Sequence, residues 1–276
     1  MIRLVFHIHG EKVILESDSG ELAEILTDFF GTAPECQQVH SGLDEMGRDT
    51  ATLPRIAMAV KPEHKKDLEA HLSSYLLAAV DQLARALNYR FLFLHACGFA
   101  FEEKGVLYCG PSGSGKTTLA MICQHWGFDV LGEDMVMIEW QTGKIYPLAL
   151  HFRPRPFTRD LMSVWQADIL DRHRSLGRPA PRTRSRVDNY PLKRLFMAGS
   201  AGSRIPFLWQ NLFGRSSIKP ARLFAQISAA LAGCRVESVP VLDIDTRQSE
   251  SDIKQGFYQW LQSEPAKYPN RLFKSA

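Results

Sequence analysis

Residues 110–117 could hold the phosphates of a nucleotide, because they read GPSGSGKT. This run matches the pattern G-x-x-x-x-G-K-[ST] at every position. In such a loop the backbone N–H groups point at phosphate oxygens, and the following helix directs its positive end to the same place. Lys116 would supply a positive charge for the β- and γ-phosphates, and the Thr117 hydroxyl is placed to bind Mg²⁺. The pattern therefore predicts a site for a nucleoside triphosphate with Mg²⁺.

The residues around this loop have the pattern that such a site requires. The run VLYC (106–109) predicts a strand before the loop, and TTLAMICQHW (117–126) predicts a helix after it. Three glycines of the loop are expected to adopt positive φ and to approach phosphate closely. A glycine-rich connection that binds nothing is the alternative, and the flanking elements argue against it. The predicted nucleotide-binding residues are Gly110, Pro111, Ser112, Gly113, Ser114, Gly115, Lys116, Thr117 and Thr118, joined by Arg153 and Arg155.

Two acids, Glu133 and Asp134, follow an apolar strand soon after the predicted helix. In enzymes with this loop, a carboxylate at such a strand end reaches Mg²⁺ directly or through water. Two adjacent acids can also divide the work, one binding the metal and the other accepting the proton of an attacking hydroxyl. A solvated acidic turn is the alternative, and the neighbouring phosphate loop favours the functional interpretation. Thr117 and Asp134 are the predicted Mg²⁺ ligands.

His95 lies in the apolar run FLFLHACGFAF (91–101), where periodicity alone favours a hydrogen-bonded core residue over a catalyst. However, the order of His95, the loop and the pair Glu133-Asp134 resembles the core of HPr kinase/phosphorylase and its shorter relatives. The resemblance covers about residues 66–157. In that family a strand carrying a histidine precedes a P-loop, and a helix and a short strand then lead to a paired acid.

The resemblance implies an ATP-dependent kinase acting on a serine hydroxyl, with a fold like the nucleotide core of phosphoenolpyruvate carboxykinase. It implies that Asp134 helps to hold Mg²⁺ or acts as a base together with Glu133, and that His95 lies near the transferred phosphate. With Lys116, these are the predicted catalytic residues.

The sequence departs from the bifunctional members of that family at two places. Glu133 stands where the family usually has Asp, and HFRPRPF (151–157) stands where a glycine-rich signature would be. The chain looks more like the HPr-kinase-related proteins found beside peptide-modification genes, some of which phosphorylate a serine on a precursor peptide. The expected substrate is therefore a peptide or a small protein. Bifunctional relatives form rings, which leaves a homo-oligomer open.

The order of strand, loop, helix and strand indicates an α/β fold. Residues 2–8 and 12–16 predict a hairpin, a helix is expected near 20–30, and 32–57 is polar and turn-rich. We therefore expect a small N-terminal α+β unit over 1–60, followed over 61–276 by an HPr kinase-like and PEP carboxykinase-like P-loop domain. Further helices are predicted near 64–88, 159–171, 220–233 and 251–263. One or two buried strands are predicted at 91–101, a strand on each side of an acidic corner at 128–140, and further strands at 192–198 and 239–244.

A basic segment, residues 151–186, contains many arginines and prolines and only three aspartates. Arginine binds phosphate and carboxylate through its planar fork, and proline keeps the segment extended. The segment could be a flap that steadies phosphates or docks an acidic peptide, or it could be a solvated loop. Arg153 and Arg155 are the members closest in sequence to the core. Nucleic-acid binding is not expected, because aromatic residues are not interleaved with the later arginines.

The composition argues against several other classes of protein. The 276 residues carry a net charge of only +3, and the five cysteines form no CxxC pair, which argues against a disulfide framework and a zinc site. No apolar run reaches the roughly 18 residues of a membrane span, and no signal peptide is visible, so a cytoplasmic protein is expected. Two other functions stay open. One is a catalytically weak ATP-binding module that presents a peptide to partner modification enzymes, and the other is plain ATP or GTP hydrolysis.

Overall fold

Two β-sheets organise the chain in a computed structural model that describes residues 1–30, 37–38, 52–148, 155–165, 189–199, 204–213, 218–239 and 241–262. The described residues form a mixed α/β protein with seven α-helices, as the sequence predicts at this level. The helices are α1 (Gly20–Phe30), α2 (Leu68–Ala86), α3 (Lys116–His125), α4 (Pro156–Val164), α5 (Arg204–Gln210), α6 (Pro220–Ala230) and α7 (Glu250–Gln262).

The smaller sheet is N-terminal and has four strands in the order β3-β1-β2-β4. The predicted hairpin is confirmed, since β1 and β2 pair antiparallel from Ile2 opposite Ser17 to Ile8 opposite Glu11. The polar, turn-rich stretch 32–57, which suggests a loop or a domain boundary, contains β3 and the start of β4, so that interpretation is wrong in part. The strand β4 pairs parallel with β2, and no local sequence pattern reveals this pairing. The bounds are β1 (Ile2–Ile8), β2 (Glu11–Ser17), β3 (Gln37–Gln38) and β4 (Arg55–Met58).

The larger sheet has eight strands, seven of them in the order β5-β9-β10-β11-β7-β6-β8, with β12 beside β11. Of the one or two strands predicted at 91–101, the structure has two, which part at His95. The bounds are β5 (Phe91–Leu94), β6 (Ala96–Phe101), β7 (Lys104–Cys109), β8 (Val130–Gly132), β9 (Val136–Glu139), β10 (Lys144–Tyr146), β11 (Tyr190–Ala198) and β12 (Arg235–Val239).

Strand direction brings the predicted site residues to one edge of this sheet. β6 runs antiparallel to both β7 and β8, while β7, β11 and β12 run parallel. The start of β6 therefore lies at the same edge as the carboxyl ends of β7 and β8. His95, the loop that begins at Gly110, and Glu133-Asp134 all occur at these strand ends.

Helices cover both faces of the large sheet, and the strands alternate accordingly. Val106 and Tyr108 of β7 pack in a cluster with α3 and α7, whereas Leu107 and Cys109 pack in a second cluster with α5 and α6. This alternation with a period of two is what a strand buried on both faces requires. A third cluster joins α1 and α2 to the small sheet and to Phe93 of β5.

Several predicted boundaries change in the structure. The helix predicted from 64 begins at Leu68, because Pro62–His64 form a 3₁₀ turn and Asp67 caps the helix by accepting from Ala70 N at 3.2 Å. The helix predicted near 159–171 is α4, which begins earlier, after Arg155. The helices predicted near 220–233 and 251–263 are confirmed as α6 and α7, and α5 was not predicted.

The prediction of a strand at 239–244 is wrong. The chain forms β12 instead, which pairs with Arg194–Ala198 of β11 and ends at Val239. Residues 241–244 leave the sheet and pass beside the phosphate loop, where Leu242 contacts Gly115. None of the described helices is both long and apolar enough to cross a membrane. The four cysteines within the described ranges are free thiols.

A buried glutamate connects the large sheet to the N-terminal hairpin. Glu139, at the end of β9, accepts from Arg90 Nε at 2.7 Å, from Thr142 Oγ1 at 2.6 Å and from Tyr146 Oη at 3.2 Å. Arg90 also forms an ion pair with Glu11 of the hairpin. Burial raises the pKa of the Glu139 carboxyl, but its three donors lower it by more, so the pKa lies below the ordinary value of 4.5.

We expect Glu139→Gln to lower the free energy of unfolding by about 2 kcal/mol at neutral pH, because it weakens charge-assisted hydrogen bonds. A carboxyl with a depressed folded pKa stabilises the protein above its unfolded pKa, and this stabilisation is lost as the pH falls through the folded pKa. The difference between the variant and the wild type should therefore shrink as the pH falls below 4.5. Urea unfolding at several pH values measures this. Glu24→Gln, on the exposed face of α1, is the control, and an equal effect there would contradict the prediction.

Candidate functional site

The phosphate loop has the backbone conformation that its glycines allow. Gly113 and Gly115 have φ of +85° and +93°, in the left-handed region, and Gly115 is the N-cap of α3. The expectation of positive φ at Gly110 is wrong. Glycine is instead required at position 110 because there is no space for a side chain. A Cβ there would lie 2.5 Å from Ser114 Oγ.

Tyr108 supports the loop from beneath, a role that no sequence motif indicated. Its buried hydroxyl donates to the carbonyl of Ser114 at 2.8 Å and accepts from Leu242 N at 2.9 Å. The hydroxyl therefore ties the phosphate loop to the segment that follows β12. Burial raises the pKa of this hydroxyl well above its ordinary value, so Tyr108 stays a neutral donor.

Lys116 is folded back onto its own loop. Its ammonium group donates to the carbonyls of Gly110 at 2.8 Å and Pro111 at 3.1 Å, and the residue is only 5% exposed. Burial lowers the pKa of Lys116, and the negative charge of Asp134 opposes that shift. A cation that has lost most of its water and is held by neutral carbonyls can transfer to an anionic phosphate without a further large desolvation cost.

His95 and Asp134 form the second charged element of the site. His95 Nε2 lies 2.7 Å from Asp134 Oδ1, and the backbone N–H of His95 donates to the carbonyl of Asn211 at 2.7 Å. Partial desolvation raises the pKa of the Asp134 carboxyl, but the hydrogen bond and charge of His95 and the charge of Lys116 lower it by more. The net pKa lies below the ordinary value, so Asp134 is a carboxylate at neutral pH.

The corner between β8 and β9 turns the two acids in different directions. Gly132 lies so close to the carbonyl of Met135 that a Cβ at this position would overlap it, which makes the corner tight. The side chain of Asp134 is 61% exposed, whereas Glu133 is only 7% exposed. Asp134 borders both the cavity of the phosphate loop and an adjoining apolar cavity, whereas Glu133 borders only the adjoining one. The two acids are therefore not equivalent.

A cavity of about 500 Å³ lies in front of the loop and collects most of the predicted residues. Asp243, which was not predicted, also borders it. Gly110, Pro111 and Ser114 form the loop without lining the cavity, and Arg153 lies outside the described residues. The predicted residues that line it are His95, Ser112, Gly113, Gly115, Lys116, Thr117, Thr118, Asp134 and Arg155.

Arg155 closes the cavity on the side of α4. Its Nη2 donates to Ser112 Oγ at 3.2 Å, and its guanidinium charge contributes to lowering the pKa of Lys116. The hydroxyls of Thr118 and Thr158 lie 2.7 Å apart in the interior, which joins the first turns of α3 and α4. Arg155, directly before α4, is therefore anchored beside the loop.

The residues at this cavity suit Mg²⁺ as a partly protein-bound ion. Thr117 and Asp134 are oxygen ligands of the kind Mg²⁺ prefers, and Mg²⁺ commonly completes its shell with phosphate and water. Across the ranges that the structure describes, no group of three His, Cys, Asp or Glu residues could hold a metal alone. The donor set therefore fits an ion that arrives with a nucleotide rather than a dedicated metal cage.

Comparison with known proteins does not assign this chain to a family. A scan against protein-family models and a search of curated proteins both found no match.

We expect His95→Gln to raise the pKa of the Asp134 carboxyl, because the variant removes the charge that favours the ionised form while partial desolvation remains. Carbon-13 NMR of the aspartate carboxyls during an acid titration measures the shift. His125→Gln is the matched control, because His125 pairs with Glu250 outside the cavity. An Asp134 pKa that is the same in both variants would show that His95 does not influence the carboxylate.

Proposed function

We propose that this chain is an ATP-dependent kinase that transfers the γ-phosphoryl group to a serine hydroxyl of a peptide or small protein. The observation that carries the proposal is the His95–Asp134 pair, hydrogen-bonded at 2.7 Å, on the wall of the cavity that Lys116 and Thr117 also line. A carboxylate beside the phosphate loop, oriented by a histidine, is a group that could accept a proton during phosphoryl transfer to a hydroxyl.

The phosphate loop would bind the polyphosphate through its backbone amides and the dipole of α3. Lys116 would exchange its contacts with Gly110 and Pro111 for the β- and γ-phosphates, and Arg155 is positioned to add a second positive charge. When bound, Mg²⁺ would neutralise phosphate charge, held by the Thr117 hydroxyl, which leaves the Asp134 carboxylate to act as the base.

Asp134 is the better of the two acids to orient the acceptor. It is ionised and exposed to the cavity, whereas Glu133 is buried beside it. As the hydroxyl oxygen bonds to the γ-phosphorus and the bond to ADP breaks, Asp134 would take the hydroxyl proton. His95 would hold the carboxylate in place and stabilise its charge.

The resemblance to HPr kinase and its shorter relatives supports the same reaction. It supplies the order of histidine, P-loop and acid, together with the expectation of ATP and a serine acceptor on a PEP carboxykinase-like core. We extend the proposal to a cytoplasmic location, which fits free thiols and a supply of ATP.

Lys116→Ala should reduce phosphoryl transfer by about a hundred- to a thousandfold, because it removes a charge that stabilises the transition state. The fold should survive, since the ammonium group is buried and its loss removes a desolvation cost. Initial rates with labelled ATP and circular dichroism measure both properties. Lys104→Ala, at the exposed start of β7, is the control, and full activity in the Lys116 variant would refute the role of the loop.

Asp134→Asn should lower kcat by about a hundred- to ten-thousandfold, because the amide cannot accept the proton of the hydroxyl. The affinity for Mg·ATP should change far less. Steady-state kinetics and fluorescent-nucleotide displacement separate the two effects. Equal losses in turnover and in binding would contradict a role for Asp134 in the chemistry.

The fate of a labelled γ-phosphate distinguishes the kinase from its alternatives. Label recovered as phosphoserine on a peptide is the expected result. Inorganic phosphate as the only product would instead indicate a hydrolase. Nucleotide binding with neither product would indicate a module that presents a peptide to partner enzymes.

A further inference from the structure

A second cavity adjoins the phosphate cavity and shares two of its residues. It has a volume of about 340 Å³, and His95 and Asp134 line both cavities. The His95–Asp134 pair therefore stands between them. The remaining wall is mainly apolar and comes from α1, α2, the residue before β9 and the short segment after α5, namely Phe29, Leu72, Leu76, Leu77, Met135 and Phe213.

The charge of this cavity restricts what it can bind. Its ionisable side chains are His95, Glu133 and Asp134, of which Asp134 is the carboxylate described above, and no Lys or Arg lines it within the described residues. An acidic ligand or a second phosphate would meet repulsion there. An apolar group attached to a neutral or basic chain would not.

Leu77 provides an independent sign that the apolar wall is incomplete. It is 44% exposed, whereas Leu72, five residues earlier in α2, is buried in the core. A leucine on the wall of a cavity that ends at a charged pair can bury more apolar area when a ligand enters.

We propose that this cavity binds the acceptor of the kinase, a peptide segment whose serine lies next to an apolar side chain. The proposal rests on the proposed function and specifies its substrate class. The serine hydroxyl would reach the His95–Asp134 pair, and the neighbouring apolar side chain would pack against Leu76, Leu77 and Phe213.

The dimensions suit this arrangement. Consecutive Cα atoms are about 3.8 Å apart, so a side chain one or two residues from the serine reaches the adjoining cavity. A volume of about 340 Å³ lies at the small end for ligand sites and holds one or two side chains rather than a folded element. The phosphate donor and the acceptor would then approach the pair from opposite cavities.

Three short peptides that differ only at the residue after a single serine test the proposal. That residue is Leu in the first, Asn in the second and Asp in the third. Phosphoryl transfer from labelled ATP gives kcat/KM, and fluorescence anisotropy of the same peptides with Mg·ADP present gives affinity without turnover. We expect the Leu peptide to exceed the Asn peptide by about tenfold in both measurements, and the Asp peptide to be the poorest.

Leu77→Asn is the diagnostic variant, because it keeps the branching and the number of heavy atoms of the side chain but makes it polar. It should remove the preference for the Leu peptide, lowering kcat/KM by about tenfold while the affinity for Mg·ATP is unchanged. Leu77→Met keeps the apolar character and should resemble the wild type. Because Leu77 is partly exposed, neither change should unfold α2.

The two measurements separate a failure of this proposal from a failure of the kinase assignment. Transfer without a preference for Leu, or with a preference that Leu77→Asn does not affect, would overturn the acceptor site and leave the kinase standing. Leu-dependent binding that Leu77→Asn removes, with no transfer, would support a peptide site and overturn the kinase. Neither binding nor transfer with any of the peptides would overturn both.

Discussion

The pairing of β6 with β7 on one side and β8 on the other is the constraint on which the site depends. Ala96 lies opposite Cys109, and Gly98 lies opposite Gly132. These registers bring the residue before β6 and the residues after β7 and β8 to one edge of the sheet. Small side chains permit the close pairing, since a Cβ on Gly98 would lie 2.8 Å from Val136. A slip by one residue would turn the side chains to the opposite face and separate His95 from Asp134.

The electrostatics of the site explain why it is suited to an anionic ligand that arrives with its own cation. Lys116 is desolvated and bound by neutral carbonyls, Arg155 contacts the loop, and Asp134 remains ionised beside His95. Positive charge lies at the loop and negative charge at the opposite wall. In the proposed reaction a γ-phosphate would lie between them, with the positive charges of the loop on one side and Asp134, the proposed proton acceptor, on the other.

The sequence predicts the positive φ of Gly113 and Gly115, because the motif requires residue types at fixed spacing within eight positions. Contacts and strand pairings between residues far apart in the chain could not be predicted in this way. Tyr108 and Leu242 meet across 134 positions, and β12 occupies RVESV rather than the more apolar VPVLDI because of its pairing with β11. Adjacent positions 133 and 134 also look alike in sequence, and only the tight turn after Gly132 buries one acid and exposes the other. The role of Arg153 stays a prediction, since that residue lies outside the described ranges.

We infer that the backbone amides of residues 110–117 and the ammonium group of Lys116 bind a polyphosphate. Isothermal titration calorimetry of the purified chain with Mg·ATP, and with AMP as a comparison, tests it most directly. We expect saturable binding of Mg·ATP at one site per chain. The affinity for AMP should be lower by at least about tenfold, because AMP lacks the β- and γ-phosphates. Absence of any heat of association at millimolar Mg·ATP, or equal affinity for AMP, would contradict it.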